Sequence, residues 1–482
     1  MIKNFIPKKT MKNINIVDSH LISESFKVYT KCDDIIDPKL DPFIISTESG
    51  FLPKMDPLLE LPKKYEIIDI LLKKMRWNQP DGSKGLLAKK QFGEAVLNEL
   101  SEFEVEDVED KMVAHALFRD YSFLTSAYLL EECHHNYLKT GNYGLGREIL
   151  PKVIARPFYK LADKLHLRPF MEYNTCYANF NYFRKDPSLG LSINNLDIHR
   201  SFINMKSETG FILVHVAINQ HGGNLIKAGM NVLKACELKD RNMFNDALIE
   251  MRETLSFMNG EFERMYYESN PSDYNIFRTF IMGIANQPMF PNGVVYEGCY
   301  DNKPQFFRGE SGANDSIIPF CDNILEITKL MPKNPLTDIL RDFRTYRPKS
   351  HKDFLKFTEE TANELGVMEF AKKDPESMIY FLEVADQNRA FRHRHWVLTN
   401  MYILNFSKHP TATGGSPIVT WLPNQLLTVI DFIKTHANTL QTTGKALPNY
   451  LEYSLKAIVR RCDADERIIR REVETKKSKY NY

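Results

Sequence analysis

The chain has no excess of either charge. Its 482 residues carry 63 Lys plus Arg against 62 Asp plus Glu, a formal net charge of +1, so neither a global affinity for nucleic acid nor an acidic, solvating character is expected. No run of 18 apolar residues occurs, and the start, Met1 to Lys9, lacks an apolar signal core; a secreted or membrane-spanning chain is therefore not expected. The first 30 residues hold Lys but no Arg, which gives little support to a mitochondrial transit peptide. Cysteine is sparse and scattered: Cys32, Cys133, Cys176, Cys236, Cys299, Cys321 and Cys462 are odd in number and never in a CxxC spacing. They read as reduced thiols in a cytoplasmic protein, not as a disulfide frame or a zinc site. Strand-like alternation is rare, no internal repeat stands out, and no Walker or dinucleotide motif occurs.

What is abundant is aromatic surface, with 31 Phe and 22 Tyr in a chain that is 43% hydrophobic. The length suggests two or three domains, or one large helical body with a smaller appended domain, and an aromatic-rich interior suits a flat ligand. The spacing predicts an almost all-helical fold. Ile67, Ile70, Leu71 and Met75 mark one helix, and Leu117, Tyr121, Leu124, Tyr128 and Leu129 another, which ends in Glu131-Glu132-Cys133-His134-His135. Adjacent histidines diverge by about 100° on a helix, so this end is expected to be solvated and not a metal site. Residues 144–197 read as a connecting region. The apolar stretch Gly210 to Ile218 is followed by helices over 226–238, 243–263 and 274–284, a loop over 288–308, a helix capped by Asn314-Asp315-Ser316 and reaching Leu330, and helices beginning near Pro335, His351 and Asp374. Residues 463–482 alternate in charge and are expected to form a solvated helix that frays.

One histidine stands on an apolar stripe. Phe391, His395, Leu398 and Tyr402 fall at i, i+4, i+7 and i+11 of a helix, so His395 points inward while His393 and Arg394 point elsewhere. Such an imidazole is either a hydrogen-bonded core histidine or, beneath an apolar pocket between helices, an axial ligand for haem iron. His215 lies in an apolar run where a polar side chain needs a partner. Arg278, on a mostly apolar helix, either snorkels to water or forks a carboxylate. Arg308-Gly309-Glu310-Ser311-Gly312-Ala313-Asn314-Asp315-Ser316 lets the backbone approach a flat or anionic group, and Thr413-Gly414-Gly415 forms a second such loop. Each of these also has an ordinary structural reading.

The order and wording of these segments resemble the indoleamine 2,3-dioxygenase family over roughly residues 45–445. The resemblance is carried by Gly50-Phe51-Leu52-Pro53 with Asp56-Pro57-Leu58 and Leu61-Pro62, by Ser122-Phe123-Leu124-Thr125-Ser126-Ala127-Tyr128, and by Tyr173 with Cys176. It continues through Gly210-Phe211-Ile212-Leu213-Val214, Arg278, Val295-Tyr296-Glu297-Gly298, the Gly309–Ser316 loop, the helix of Arg392 and His395, and Thr413-Gly414-Gly415. It implies an all-α enzyme containing haem b that opens the indole ring of L-tryptophan between C2 and C3 with O2, giving N-formylkynurenine. A cellular reductant would keep the iron ferrous. The implied organisation is a lead-in over 1–45, a smaller N-terminal domain over 46–200 covering the distal pocket, a haem-binding domain over 201–460 and a charged tail over 461–482. The resemblance further implies a monomer acting on a small-molecule indole, with no nucleic acid or membrane partner.

By the same resemblance His395 would ligate iron, with Arg392 paired to Asp322 behind it. Tyr173, Cys176 and Phe211 would line the indole pocket, Arg278 would fork the substrate carboxylate, and Thr413 with Gly414 would meet the amino acid head group. Ser311 and Gly312 would lie over the haem edge, where a bulky side chain has no room. The chain departs from the mammalian pattern at His215, which stands where a small hydroxyl residue is usual and is expected to accept the indole N–H, and at Glu310, which stands where glycine is usual and whose carboxylate would be repelled by the haem propionates unless it turned outward. Asp273 and Tyr274 compete for an aromatic position before Arg278, and Tyr274 is favoured. Two other readings are a related haem enzyme acting on a different indole and a non-catalytic haem-binding helical protein.

Overall fold

The computed structural model describes residues 26–32, 37–331, 335–442 and 447–480. The principal helices are α1 (Glu66–Met75), α2 (Lys111–Thr140), α3 (Lys152–Leu165), α4 (Lys206–Asn219), α5 (Gly222–Leu238), α6 (Arg241–Glu263), α7 (Pro271–Phe277), α8 (Ile317–Ile324), α9 (Pro335–Phe343), α10 (Lys349–Leu365), α11 (Pro375–Thr399), α12 (Ile418–Thr442) and α13 (Asn449–Tyr480). The described strands are short: β1 (Ile149–Leu150), β4 (Val294–Tyr296) and β5 (Pro304–Gln305) form one small sheet, and β2 (Tyr182–Arg184) pairs antiparallel with β3 (Leu196–Ile198). The fold is all-α, as the periodicities indicate.

Two of the helices that carry the site, α11 and α6, start where side chains satisfy free backbone N–H groups. Asp374 accepts from the Ser377 amide at 2.9 Å ahead of α11, whose first residue is Pro375, and Asp240 accepts from the Met243 amide at 3.0 Å ahead of α6. α11 packs along α6 on one side and α12 and α13 on the other, while α4 and α5 pack on α6. The Gly50-Phe51-Leu52-Pro53 motif anchors this body: Gly50 has φ +65°, and a Cβ there would lie 2.4 Å from the Gly222 carbonyl carbon at the start of α5. Only a residue without a side chain allows that approach.

Several local expectations are corrected. The connecting region contains α3, a 14-residue amphipathic helix that its internal Pro157 disguised. The helix after Ser316 stops at Ile324, because Glu326 adopts φ +54°. The Glu131–His135 cluster is packed, not solvated. Glu131 is buried and accepts from the amides of Phe92 (2.8 Å) and Gly93 (3.1 Å), and His134 is buried beside Thr279 Oγ1 at 3.2 Å. The charged stretch beyond Arg461 belongs to α13, which buries Cys462, Asp465 and Ile469 and pairs Asp465 with Arg389 of α11. Its charges alternate because one face meets α11 and the other meets water. Residues 1–25 of the lead-in fall outside the described residues; within its described part Phe43 is buried.

Candidate functional site

Between α4, α6 and α11 lies a cavity enclosing about 1560 Å³ free of protein atoms and open in part to solvent. All four residues of the stripe, Phe391, His395, Leu398 and Tyr402, reach its wall. Two widened helical turns of the i→i+5 type shape it, a device common at functional sites. One, Tyr173–Tyr177, delivers Tyr173; the other, Asn400–Leu404, continues α11 and delivers Tyr402 and Ile403.

His395 makes no hydrogen bond through its ring to any described residue. Burial, with lesser contributions from His215 and Arg392, holds its pKa down to about 4, so the imidazole is neutral and keeps a lone pair for a metal. One turn earlier, Arg392 Nη2 donates to Asp322 Oδ2 at 2.6 Å, its Nη1 donates to Asn388 Oδ1, and Asn388 Nδ2 donates to Asp322 Oδ1 at 2.9 Å. This triangle ties α11 to α8 directly beneath His395. Arg344, with its Nε unpartnered, also lines the cavity.

His215, on α4, lines the same cavity. Its Nδ1 lies 2.7 Å from the Phe211 carbonyl oxygen. A carbonyl only accepts, so Nδ1 carries the proton and Nε2 is left as an acceptor. Burial lowers its pKa, and the ring is neutral. It is held edge-to-face by Tyr173 (centroids 5.4 Å) and Phe211 (4.9 Å). Phe211 in turn meets Tyr274 at 5.1 Å, and Tyr274 meets Tyr402 at 5.7 Å. Asn219 Nδ2 positions the Tyr173 hydroxyl (3.2 Å) and Asp315 (2.8 Å) together.

The structure thus brings Tyr173, Phe211, His215, Tyr274, Ser311, Gly312, Asp322, Arg392, His395 and Thr413 to one cavity. Tyr274, not Asp273, faces it; Asp273 accepts from Ser207 Oγ at 2.6 Å. Three expected residues sit one layer back. Cys176 is buried behind Tyr173, its thiol pushed up to about 12 by burial. Gly414 is wedged so that a Cβ would meet the Phe343 ring at 2.4 Å. Arg278 neither snorkels nor meets a carboxylate: it is buried, donates from Nη2 to the Thr411 carbonyl at 2.6 Å, and leaves Nε and Nη1 unpartnered. The protein itself leaves room at Gly312. A Cβ there meets nothing within 4 Å, whereas at Gly309 it would lie 2.2 Å from the Gly283 amide nitrogen.

Glu310 does not turn outward. It is 3% exposed and lines the cavity, and burial, then Glu172, push its carboxyl up to about 8. Sequence reasoning missed Arg344, Phe262, Met265 and Gln425 on the wall. Arg344 is one of three arginines, with Arg341 and Arg347, at the end of an amphipathic helix, and the other three lie on helical segments, so nothing in one sequence separates them from their neighbours.

A family model described as "Indoleamine 2,3-dioxygenase" matches residues 39–448. Among curated relatives, indoleamine 2,3-dioxygenase 1 of Mus musculus is 28% identical over 56% of this chain and 65% of its own length, so the chain spans just under two thirds of that relative. A 6-hydroxytryptophan 2,3-dioxygenase of Fusarium equiseti is 27% identical over 67% of the chain and 74% of the relative. A myoglobin of Haliotis diversicolor is 24% identical over 80% of the chain and 96% of the relative. With the match running through the lining of the cavity on both sides, from Tyr173 to Thr413, the chain belongs to the indoleamine 2,3-dioxygenase family.

Proposed function

We propose that the protein is a haem-dependent dioxygenase that inserts both atoms of O2 across the C2–C3 bond of the indole of L-tryptophan, giving N-formylkynurenine. The observation that carries this reading is a neutral His395 without a hydrogen-bond partner, lining the same aromatic cavity as a second neutral imidazole, His215. The residues present fit haem. Phe262, Ile318, Leu398, Ile403 and Leu422 would offer it apolar walls, Arg344 and Arg392 would offer cations for its carboxylates, and His395 would hold its iron through a ring nitrogen. Haem, when bound, supplies ferrous iron that activates dioxygen toward the electron-rich indole.

The chain itself positions and dries the reactants. Arg392, held by Asp322 and Asn388, fixes the helix that presents His395. His215 Nε2 is the acceptor for the indole N–H, orienting the ring and holding that hydrogen bond as the ring is oxidised. Phe211, Tyr173 and Tyr274 exclude water. The two unpartnered nitrogens of Arg278, Nε and Nη1, take the substrate carboxylate while Nη2 stays on the Thr411 carbonyl. Residues 46–200 form a smaller unit on the Tyr173 side and 201–460 the haem-binding body, in a cytoplasmic monomer; among the described residues no helix is long and apolar enough to cross a membrane.

The test is purified, haem-loaded and chemically reduced protein given oxygen and L-tryptophan and followed for N-formylkynurenine; absence of product would overturn the reading. His215→Ala is expected to raise KM and lower kcat, and unchanged values would remove His215 from the site. A second reading, action on a different indole, is favoured by His215 and Glu310 and by the relative named for 6-hydroxytryptophan. The relative named myoglobin keeps a non-catalytic haem protein as the third outcome of the same assay.

A further inference from the structure

Glu310 is a charged cavity group that the proposed chemistry leaves unexplained. Its carboxyl hydrogen-bonds to no described residue, although the side chain is 3% exposed and on the cavity wall. The charged group that acts on it is another acid, Glu172, and Glu172 is itself satisfied by the Thr175 amide (2.7 Å), Thr175 Oγ1 (2.8 Å) and Asn174 Nδ2 (3.0 Å). The aromatic residues Tyr173, Tyr177 and Tyr274 all feel its charge. A buried carboxyl among aromatic rings, with no cation among the described residues paired to it, is complementary to a cationic ligand group.

Its position relative to Arg278 identifies that group. Thr413 Oγ1 donates to the Glu310 backbone carbonyl at 2.5 Å, and Arg278 Nη2 donates to the Thr411 carbonyl at 2.6 Å. Both residues therefore abut the same three-residue segment, Thr411-Ala412-Thr413, and Tyr274 lies within the electrostatic reach of both. One holds unpartnered N–H donors and the other an unpartnered carboxyl. The carboxylates of a macrocycle would be repelled by Glu310 and have Arg344 and Arg392 available instead.

We propose that Glu310 is the counter-ion for the amine of the substrate, so that this cavity recognises indoles carrying a side-chain ammonium, with Glu310 on its wall as the cation-binding group and Arg278, one layer behind, as the anion-binding group. The assignment rests on reading the cavity as the substrate site of a haem enzyme. It makes Glu310 a specificity-determining residue: the ammonium is recognised by a protein carboxylate, and the side-chain carboxylate of the ligand is not obligatory.

Binding of three ligands to the haem-loaded protein tests this, read as equilibrium perturbation of the Soret band: L-tryptophan, tryptamine (ammonium only) and indole-3-propionate (carboxylate only). Glu310→Gln is expected to weaken L-tryptophan and tryptamine about tenfold to hundredfold, the worth of a charge-assisted hydrogen bond, while indole-3-propionate changes by less than about twofold or tightens. Equal weakening of all three, or no change for the two amines, would overturn the assignment. Should Glu310→Gln fail to fold or to hold haem, the wild-type protein still decides: tryptamine is expected to bind at least about tenfold more tightly than neutral 3-propylindole, and equal affinities would overturn it. These are binding measurements. A protein that forms no formylkynurenine yet shows the ammonium preference removes the dioxygenase reading and keeps this one, and a protein that cleaves tryptophan without the preference does the reverse.

Discussion

Asp120 and Glu310 are both buried carboxyls, and their surroundings are opposite. Asp120, on α2, accepts from Arg119 Nε at 2.8 Å and from Arg200 Nε and Nη2 at 2.9 and 2.6 Å; Arg200 continues to Asp69 at 2.7 Å. Burial alone would raise its pKa, but the two guanidinium groups hold it well below the usual carboxylate range. Glu310 has burial and a second acid, and nothing to offset them. A buried charge that the chain satisfies itself is part of the scaffold, whereas one left unsatisfied beside a cavity marks where a ligand's own charge completes the arrangement. His395 and Arg278 belong with Glu310 in this respect: each keeps unused hydrogen-bonding or ligating capacity at or next to the cavity.

The contrast can be broken at four points. His395→Ala is expected to abolish haem binding outright, seen as loss of the Soret band, with helicity by circular dichroism unchanged; a retained band would remove His395 from the iron. Asp120→Ala leaves Arg119 without a carboxylate in the interior and Arg200 with Asp69 alone, and is expected to cost about 3–5 kcal/mol of folding stability in urea titrations, with a loss below about 1 kcal/mol erasing the distinction between the two carboxyls.

Glu310→Gln sharpens the comparison through pH. The folded protein keeps the Glu310 proton up to about 8, while an unfolded glutamate releases it near 4.3. Between those values the folded state binds more protons, so stability falls as pH rises through the window and levels above it. The Gln variant is expected to lose that slope in apo-protein melts between pH 5 and 8, and identical slopes would mean that the acid is paired. The smallest effect is expected for Asp322→Asn, which weakens haem affinity about tenfold by loosening Arg392; haem titration measures it, and an unchanged affinity would show that the triangle beneath His395 does not orient it.

The periodicity of Phe391, His395, Leu398 and Tyr402 was legible because a helix converts spacing into direction, and all four meet the cavity as that rule requires. Tyr274 was legible as one of two neighbours, and the fold chose it by giving Asp273 to Ser207. Arg278 was visible only as an arginine on an apolar helix; that it would be held by the Thr411 carbonyl, 133 residues away, depends on how the 405–417 loop returns to α7. The packed His134 shows the same limit from the other side. A cluster rich in charge looked solvated because its partners, Phe92, Gly93 and Thr279, are remote in the chain.

By itself the sequence determined the helical class, the inward direction of His395 and the ordered motifs that carry the family, since each depends on spacing along the chain. Only the tertiary structure decided which polar groups are satisfied. Asp120 and Glu310 are the same chemistry in one dimension, and they differ because Arg119 and Arg200 fold against one while the other, with no paired cation among the described residues, lines the cavity that His395 also lines.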